Sequence, residues 1–174
     1  MTRPLLAALF ASLTGVGAML RLPLPWVPVT LQTLFVFLAG LLLPPGWALA
    51  SQVVYLAAGL AGFPVFAGTS GFAAVASPTF GYLLSFPLAA WTVARLRGFD
   101  DSFGRDVFAC LAASGGLLLI GALYLAAAAR WLVGEPIGLV HALLVGAVVF
   151  LPGEAVKALV AVAVARRLRR LRGF

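Results

Sequence analysis

Glu154 and Lys157 stand three residues apart in FLPGEAVKALVAVAVA (Phe150–Ala165), a stretch that is otherwise almost wholly apolar. Lys157 is the only lysine in the chain. The i, i+3 spacing puts both side chains on one face of a helix. An ionisable pair in such surroundings is costly to bury, so it is expected to face a polar cavity and mark a binding site. Its chemistry is charge-assisted hydrogen bonding, with a carboxylate that accepts beside an ammonium that donates. Pro152-Gly153 just before the pair marks a helix start, and a helix N-terminus favours the Glu154 anion.

The elements that position this pair belong to a membrane protein. The 174 residues are 63% hydrophobic and only 10% charged, with a mean hydropathy of +1.11. A soluble domain carries about 25% charged residues. A chain this apolar buries its surfaces only with lipid as solvent, and the reading is one polytopic all-α domain over residues 1–174. The net charge of +7 does not point to nucleic acid. Arg3, Arg95, Arg97, Arg105, Arg166, Arg167, Arg169, Arg170 and Arg172 flank apolar runs and read as topology signals and headgroup contacts. Cys110 is the single cysteine and reads as a packing thiol. The N-terminal apolar stretch carries no clear A-x-A cleavage site and reads as a first span.

Proline, glycine and charge divide the chain into six expected transmembrane helices. They cover about 4–20, 29–43, 47–62, 79–94, 107–132 and 152–168. The second and third are joined by Pro44-Pro45-Gly46 and must run antiparallel. A long uncharged loop, Phe63–Pro78, separates the third and fourth. Ile137–Phe150 is apolar but short, and is expected to lie at the interface before the sixth span; one long kinked helix from Ile137 is the alternative. With both termini cytoplasmic, nine basic residues face inward, and Arg21 and Arg130 face outward, as the positive-inside rule favours. The outer side then gathers Thr30 and Gln32, the Phe63–Pro78 loop, Thr79 and Tyr82, and the Glu154–Lys157 pair. A pocket reached from outside follows.

Four strings also carry a resemblance. Val27–Pro45 (VPVTLQTLFVFLAGLLLPP), Tyr55–Phe72 (YLAAGLAGFPVFAGTSGF), Ser77–Phe86 (SPTFGYLLSF) and Phe150–Ala161 (FLPGEAVKALVA) together resemble the BioY family. These are the biotin-specific substrate-binding (S) components of energy-coupling factor (ECF) vitamin transporters. The resemblance covers nearly the whole chain. It implies that Glu154 accepts from the two N–H groups of biotin's ureido ring while Lys157 donates to its carbonyl. Tyr55, Phe66 and Tyr82 are implied to pack on the ligand, and Thr30, Gln32, Thr79 and the Gly68-Thr69-Ser70-Gly71 loop to add polar contacts, the loop serving as a lid. It also implies docking on a transmembrane coupling subunit through the small-residue stripe Ala7, Ala11 and Gly15, whose spacing permits close helix approach.

No Walker A string is present, so ATP is expected to be used only by two partner ATPase subunits, with no cofactor held by this chain. Localisation in the cytoplasmic (inner) membrane is implied. The chain departs from the family pattern in having Glu154 for the usual Asp, and Phe80 and Ser85 where glycine is usual. The Phe63–Pro78 loop has no arginine or lysine for biotin's carboxylate. Two other readings remain open. An S component for another vitamin would share the architecture. A rhomboid-like intramembrane protease would use Ser70, in Gly68-Thr69-Ser70-Gly71, with His141, the only histidine, as base.

Overall fold

A computed structural model describes residues 2–24, 27–97, 102–133 and 137–172. Six main helices arise where the apolar runs predict them. They are α1 (Arg3–Met19), α2 (Gln32–Leu42), α3 (Pro45–Leu60), α4 (Phe80–Leu96), α5 (Phe103–Ala128) and α7 (Leu151–Arg172). The short α6 (Leu139–Gly146) precedes α7. Part of the charged loop after α4, residues 98–101, lies outside the described residues.

The boundaries follow local chemistry. Leu43 is extended ahead of Pro44, as a residue before proline prefers, and Pro45 opens α3 in the first turn, where its missing N–H costs nothing. Between α6 and α7 the chain passes through a single 3-10 turn, Val148–Phe150. The break therefore falls just before Leu151, next to the expected start at Pro152. A tight turn thus separates α6 from α7 within one run of helical residues.

The second element differs from expectation. Val29 and Thr30 do not begin α2. They form strand β2 (Val29–Thr30), paired antiparallel with β1 (Arg21–Leu22) in the register Arg21↔Thr30 and Leu22↔Val29. Prolines at 23 and 28 keep this segment out of a helix. The Leu31 N–H at its end donates to the carbonyls of Gly17 (3.2 Å) and Leu20 (3.3 Å), tying the hairpin to α1.

α4 packs chiefly along α5 and also meets α2 and α3. α1 lies against α2 and α3, and α7 against α2 and α5. The α4–α5 contact is close because each helix offers a glycine to a tyrosine of the other. Tyr82 lies over Gly121 and Tyr124 over Gly81, where any Cβ would collide with the tyrosine side chain. The inward stripe of α7 begins with Glu154 and Lys157 and continues through Ala158, Ala161, Val162 and Ala165. Its outward face is apolar too, with Val156, Leu159, Val160 and Val164 exposed, as are Leu5, Leu9 and Val16 of α1 and Leu119 and Leu123 of α5. A bundle with aliphatic side chains on its outside as well as its inside is suited to lipid. Among the described residues, two helical stretches, Phe103–Trp131 and Leu139–Leu171, are long and apolar enough by length and composition to cross a membrane, while α1 and α2 are shorter apolar helices.

The expected docking stripe lies on the inner side of α1 in this conformation. Ala7, Ala11 and Gly15 are all buried within the chain; a Cβ at Gly15 would lie 3.3 Å from Val65. The small residues do allow close approach, but to elements of this same chain, which cover them in this conformation.

Candidate functional site

A cavity of about 530 Å³ opens among the hairpin, α2, the α3–α4 loop, α4, α5 and α7. At one wall the ion pair is held by α2. Glu154 and Lys157 are in direct contact and both are buried. Thr33, one residue past Gln32 on α2, bridges them: its hydroxyl donates to Glu154 Oε1 at 2.9 Å and accepts from Lys157 Nζ at 2.6 Å. Lys157 Nζ also donates to the Thr30 carbonyl at 3.1 Å. Three acceptors thus serve the three ammonium hydrogens. Glu154 Oε2 has only a long contact, 3.5 Å, from the Ser114 hydroxyl of α5. One carboxylate oxygen is therefore saturated and the other retains accepting capacity toward a donor in the cavity.

Behind this wall runs a polar relay. The Thr30 hydroxyl donates to Gln32 Oε1 (2.9 Å), Gln32 Nε2 donates to the Tyr55 hydroxyl (2.5 Å), and Tyr55 donates to the Val65 carbonyl (3.2 Å). The relay fixes the base of the α3–α4 loop against α2. Phe66 seats its ring over Gly59, where a side chain would leave no room, and meets the Tyr55 ring edge-on with centroids 5.4 Å apart. Gly71, at φ 77°, turns the loop back so that its N–H donates to the Gly59 carbonyl at 2.7 Å. The far end of the loop is held by the Tyr124 hydroxyl of α5, which donates to the Val75 carbonyl. Tyr82 donates to the Gly146 carbonyl at 2.6 Å, linking α4 to α6 beside the cavity.

Most of the expected site residues come together. Thr30, Gln32, Phe66, Gly68, Thr69, Thr79, Tyr82, Glu154 and Lys157 all line the cavity. Two do not. Tyr55 lies behind Gln32, stacked on Phe86 at 6.1 Å between centroids, and supports the wall instead of forming it. Gly71 shapes the loop without lining the cavity. Sequence reasoning missed Thr33, which sits in the quoted TLQTLF string but looks like any helix threonine until α7 is placed beside it. It also missed Phe86, Leu117, Leu118 and Phe150 of the apolar wall, and Arg21 on the hairpin.

The protease constellation is not assembled. Ser70 Oγ has no hydrogen-bond partner among the described residues, and His141 is exposed on α6. Among those residues no group of three or more His, Cys, Asp or Glu side chains could hold a metal ion.

Comparison with known proteins agrees with this architecture. A "Probable biotin transporter BioY" of Lysinibacillus sphaericus is 54% identical over 86 residues, 49% of this chain and 44% of that protein. The match to a "Probable biotin transporter BioY" of Pyrococcus horikoshii is 39% identical over 168 residues and spans 94% of each chain. Among solved structures, that of the S-component for biotin from an ECF-type ABC transporter superposes with a TM-score of 0.83 at 25% identity, covering 97% of this chain and 90% of that one. The model of the BioY family matches residues 1–174, and with relatives of this similarity over nearly the full length the chain belongs to the BioY family.

Proposed function

We propose that this chain is the S component of an ECF-type transporter that binds biotin and takes it up across the cytoplasmic membrane. The observation that carries the proposal is the Glu154–Lys157–Thr33 constellation on the wall of a cavity otherwise lined largely by aromatic and aliphatic side chains. Its size lies in the range of small-molecule sites, about 300–1,000 Å³. Biotin's ureido ring carries N–H donors that suit Glu154 Oε2, and its carbonyl would accept from Lys157 in exchange for one of the three acceptors that the ammonium now serves. The bicyclic body and chain suit the wall of Phe66, Tyr82, Phe86 and Phe150. Thr30, Gln32, Thr69 and Thr79, with the Gly68 backbone, supply the remaining polar contacts, and the Phe63–Pro78 loop acts as a lid anchored by Tyr55 and Tyr124.

In this reading the chain is a single integral-membrane unit of six spans with both termini cytoplasmic and the cavity open to the outside. It carries out no reaction and holds no cofactor. A transmembrane coupling subunit and two ATPase subunits supply the energy. Since Ala7, Ala11 and Gly15 are buried, docking would use other residues or follow a repacking of α1. Titration of the purified chain in detergent is the direct test: saturable one-to-one biotin binding is expected, and a folded chain that ignores biotin but retains another vitamin would overturn the substrate.

Thr33→Val tests the constellation itself. Valine keeps the volume, yet removes a donor from Glu154 and an acceptor from Lys157. Hydrogen bonds to charged groups are worth about 1.5–3 kcal/mol, so biotin affinity is expected to fall by about tenfold or more in the titration. Unchanged affinity would show that the bridge does not shape the site.

A further inference from the structure

Among the described residues that line the cavity, three carry a formal charge: Glu154, Lys157 and Arg21. The first two neutralise one another, and the hydrogens of Lys157 are taken up by Thr30, Thr33 and Glu154. Arg21 is different. It is exposed at the rim and has no carboxylate partner among the described residues. Its place is set by backbone pairing: the β1–β2 register puts it opposite Thr30, whose carbonyl holds Lys157 and whose hydroxyl holds Gln32. Arg21 is thus one strand outward from the ion pair. The α3–α4 loop residues that line the same cavity, among them Ala67, Gly68, Thr69 and Ser77, are uncharged. A ligand seated here meets a balanced polar pair, an apolar wall and, one strand outward from the pair, an exposed and unbalanced guanidinium.

We infer that Arg21 holds the carboxylate of the ligand's acyl tail and makes the site selective for the free acid over neutral derivatives. The inference rests on the biotin reading above. A guanidinium presents two parallel N–H donors that match a carboxylate. Rigid backbone pairing of β1 to β2 lowers the entropy lost in forming that contact. Because the rim is open to solvent, the contribution is modest, and salt screens it.

The test is a two-by-two comparison of biotin and biotinamide binding to the wild-type chain and to Arg21→Gln, by titration in detergent. The wild type is expected to prefer biotin by about two- to fivefold, the scale of an exposed ion pair. Arg21→Gln is expected to abolish that preference by weakening biotin alone, and Arg21→Lys to keep part of it. Raising the salt concentration should shrink the wild-type preference and leave the variant unaffected. Equal losses for both ligands, or a preference that survives in Arg21→Gln, would overturn the assignment while leaving biotin as the ligand. A folded wild-type chain that binds neither compound would instead overturn the biotin reading, and this inference with it.

Discussion

Lys157→Ala is expected to lower biotin affinity by about thirtyfold or more, and Glu154→Gln by a similar factor. Each change removes one member of a buried, hydrogen-bonded ion pair, and such truncations cost about 2–5 kcal/mol. The loss has two parts. The ligand forfeits a charge-assisted bond, and the surviving charge stays in the wall of the cavity without its counter-ion. In Lys157→Ala, Glu154 keeps Thr33 as a donor at 2.9 Å, and Thr33 loses its role as a bridge. In Glu154→Gln, the amide still accepts from Lys157 through its oxygen, but presents an N–H₂ group where a ligand donor needs an acceptor. Titration of both variants measures the effect. Wild-type affinity in both would remove the pair from the binding site and leave the family membership intact.

Arg169→Ala is expected to destabilise the chain by about 3 kcal/mol, seen as a lower melting temperature in detergent and no change in the ligand preference of the folded fraction. Asp106, on α5, is fully buried, and Arg169 Nη1 donates to its Oδ2 at 2.9 Å. Arg169 Nη2 donates to the Leu41 carbonyl at the end of α2, also at 2.9 Å. Arg97, capping α4, donates to the carbonyls of Leu41 and Leu43. Two arginines from different helices thereby satisfy carbonyls that the end of a helix leaves unpaired. Without Arg169, Asp106 becomes a buried carboxylate that has lost its ion-pair partner, the situation that costs about 3–5 kcal/mol. Adding Asp106→Leu to Arg169→Ala removes the stranded charge and is expected to restore much of the loss. A double variant no more stable than Arg169→Ala alone would show that the carboxylate is not the source of the effect.

This clasp also shows how far charge counting reaches. Position beside an apolar run assigns Arg97 and Arg169 to topology. That assignment concerns one dimension, the distance from the membrane centre. Whether an arginine at that depth points to a headgroup or to a helix end depends on neighbours that arrive from other parts of the chain. The same holds for Arg21, which counts as an outward charge and lies at the cavity mouth.

The helices themselves are legible because their causes are local. Apolar runs interrupted by proline, glycine and charge predict α1 through α5 and α7 to within about three or four residues at either end. The Phe150–Leu151 break before α7 lies beside Pro152, the residue that predicts it. The hairpin is not legible: strands of two residues have no period to detect, and their pairing is sustained by contacts with α1.

Glu154 and Lys157 can be read directly, since two charges at helical spacing in an apolar run are too costly to be incidental. Thr33 cannot, because its value lies in standing between α2 and α7, 121 and 124 residues from its partners. The chemical type of Tyr55 suggests contact with a ligand, whereas packing puts it one layer back, as the link between Gln32 and the loop. The Ala7, Ala11 and Gly15 stripe is buried, with Val65 of the α3–α4 loop against Gly15, but spacing along one helix carries no information about what covers it. Hydropathy and spacing within single elements are thus enough to predict the number and order of the main helices and the ion pair. What bridges that pair, which faces are buried and which arginine reaches the cavity become visible only when the helices are packed, because each depends on the juxtaposition of residues far apart along the chain.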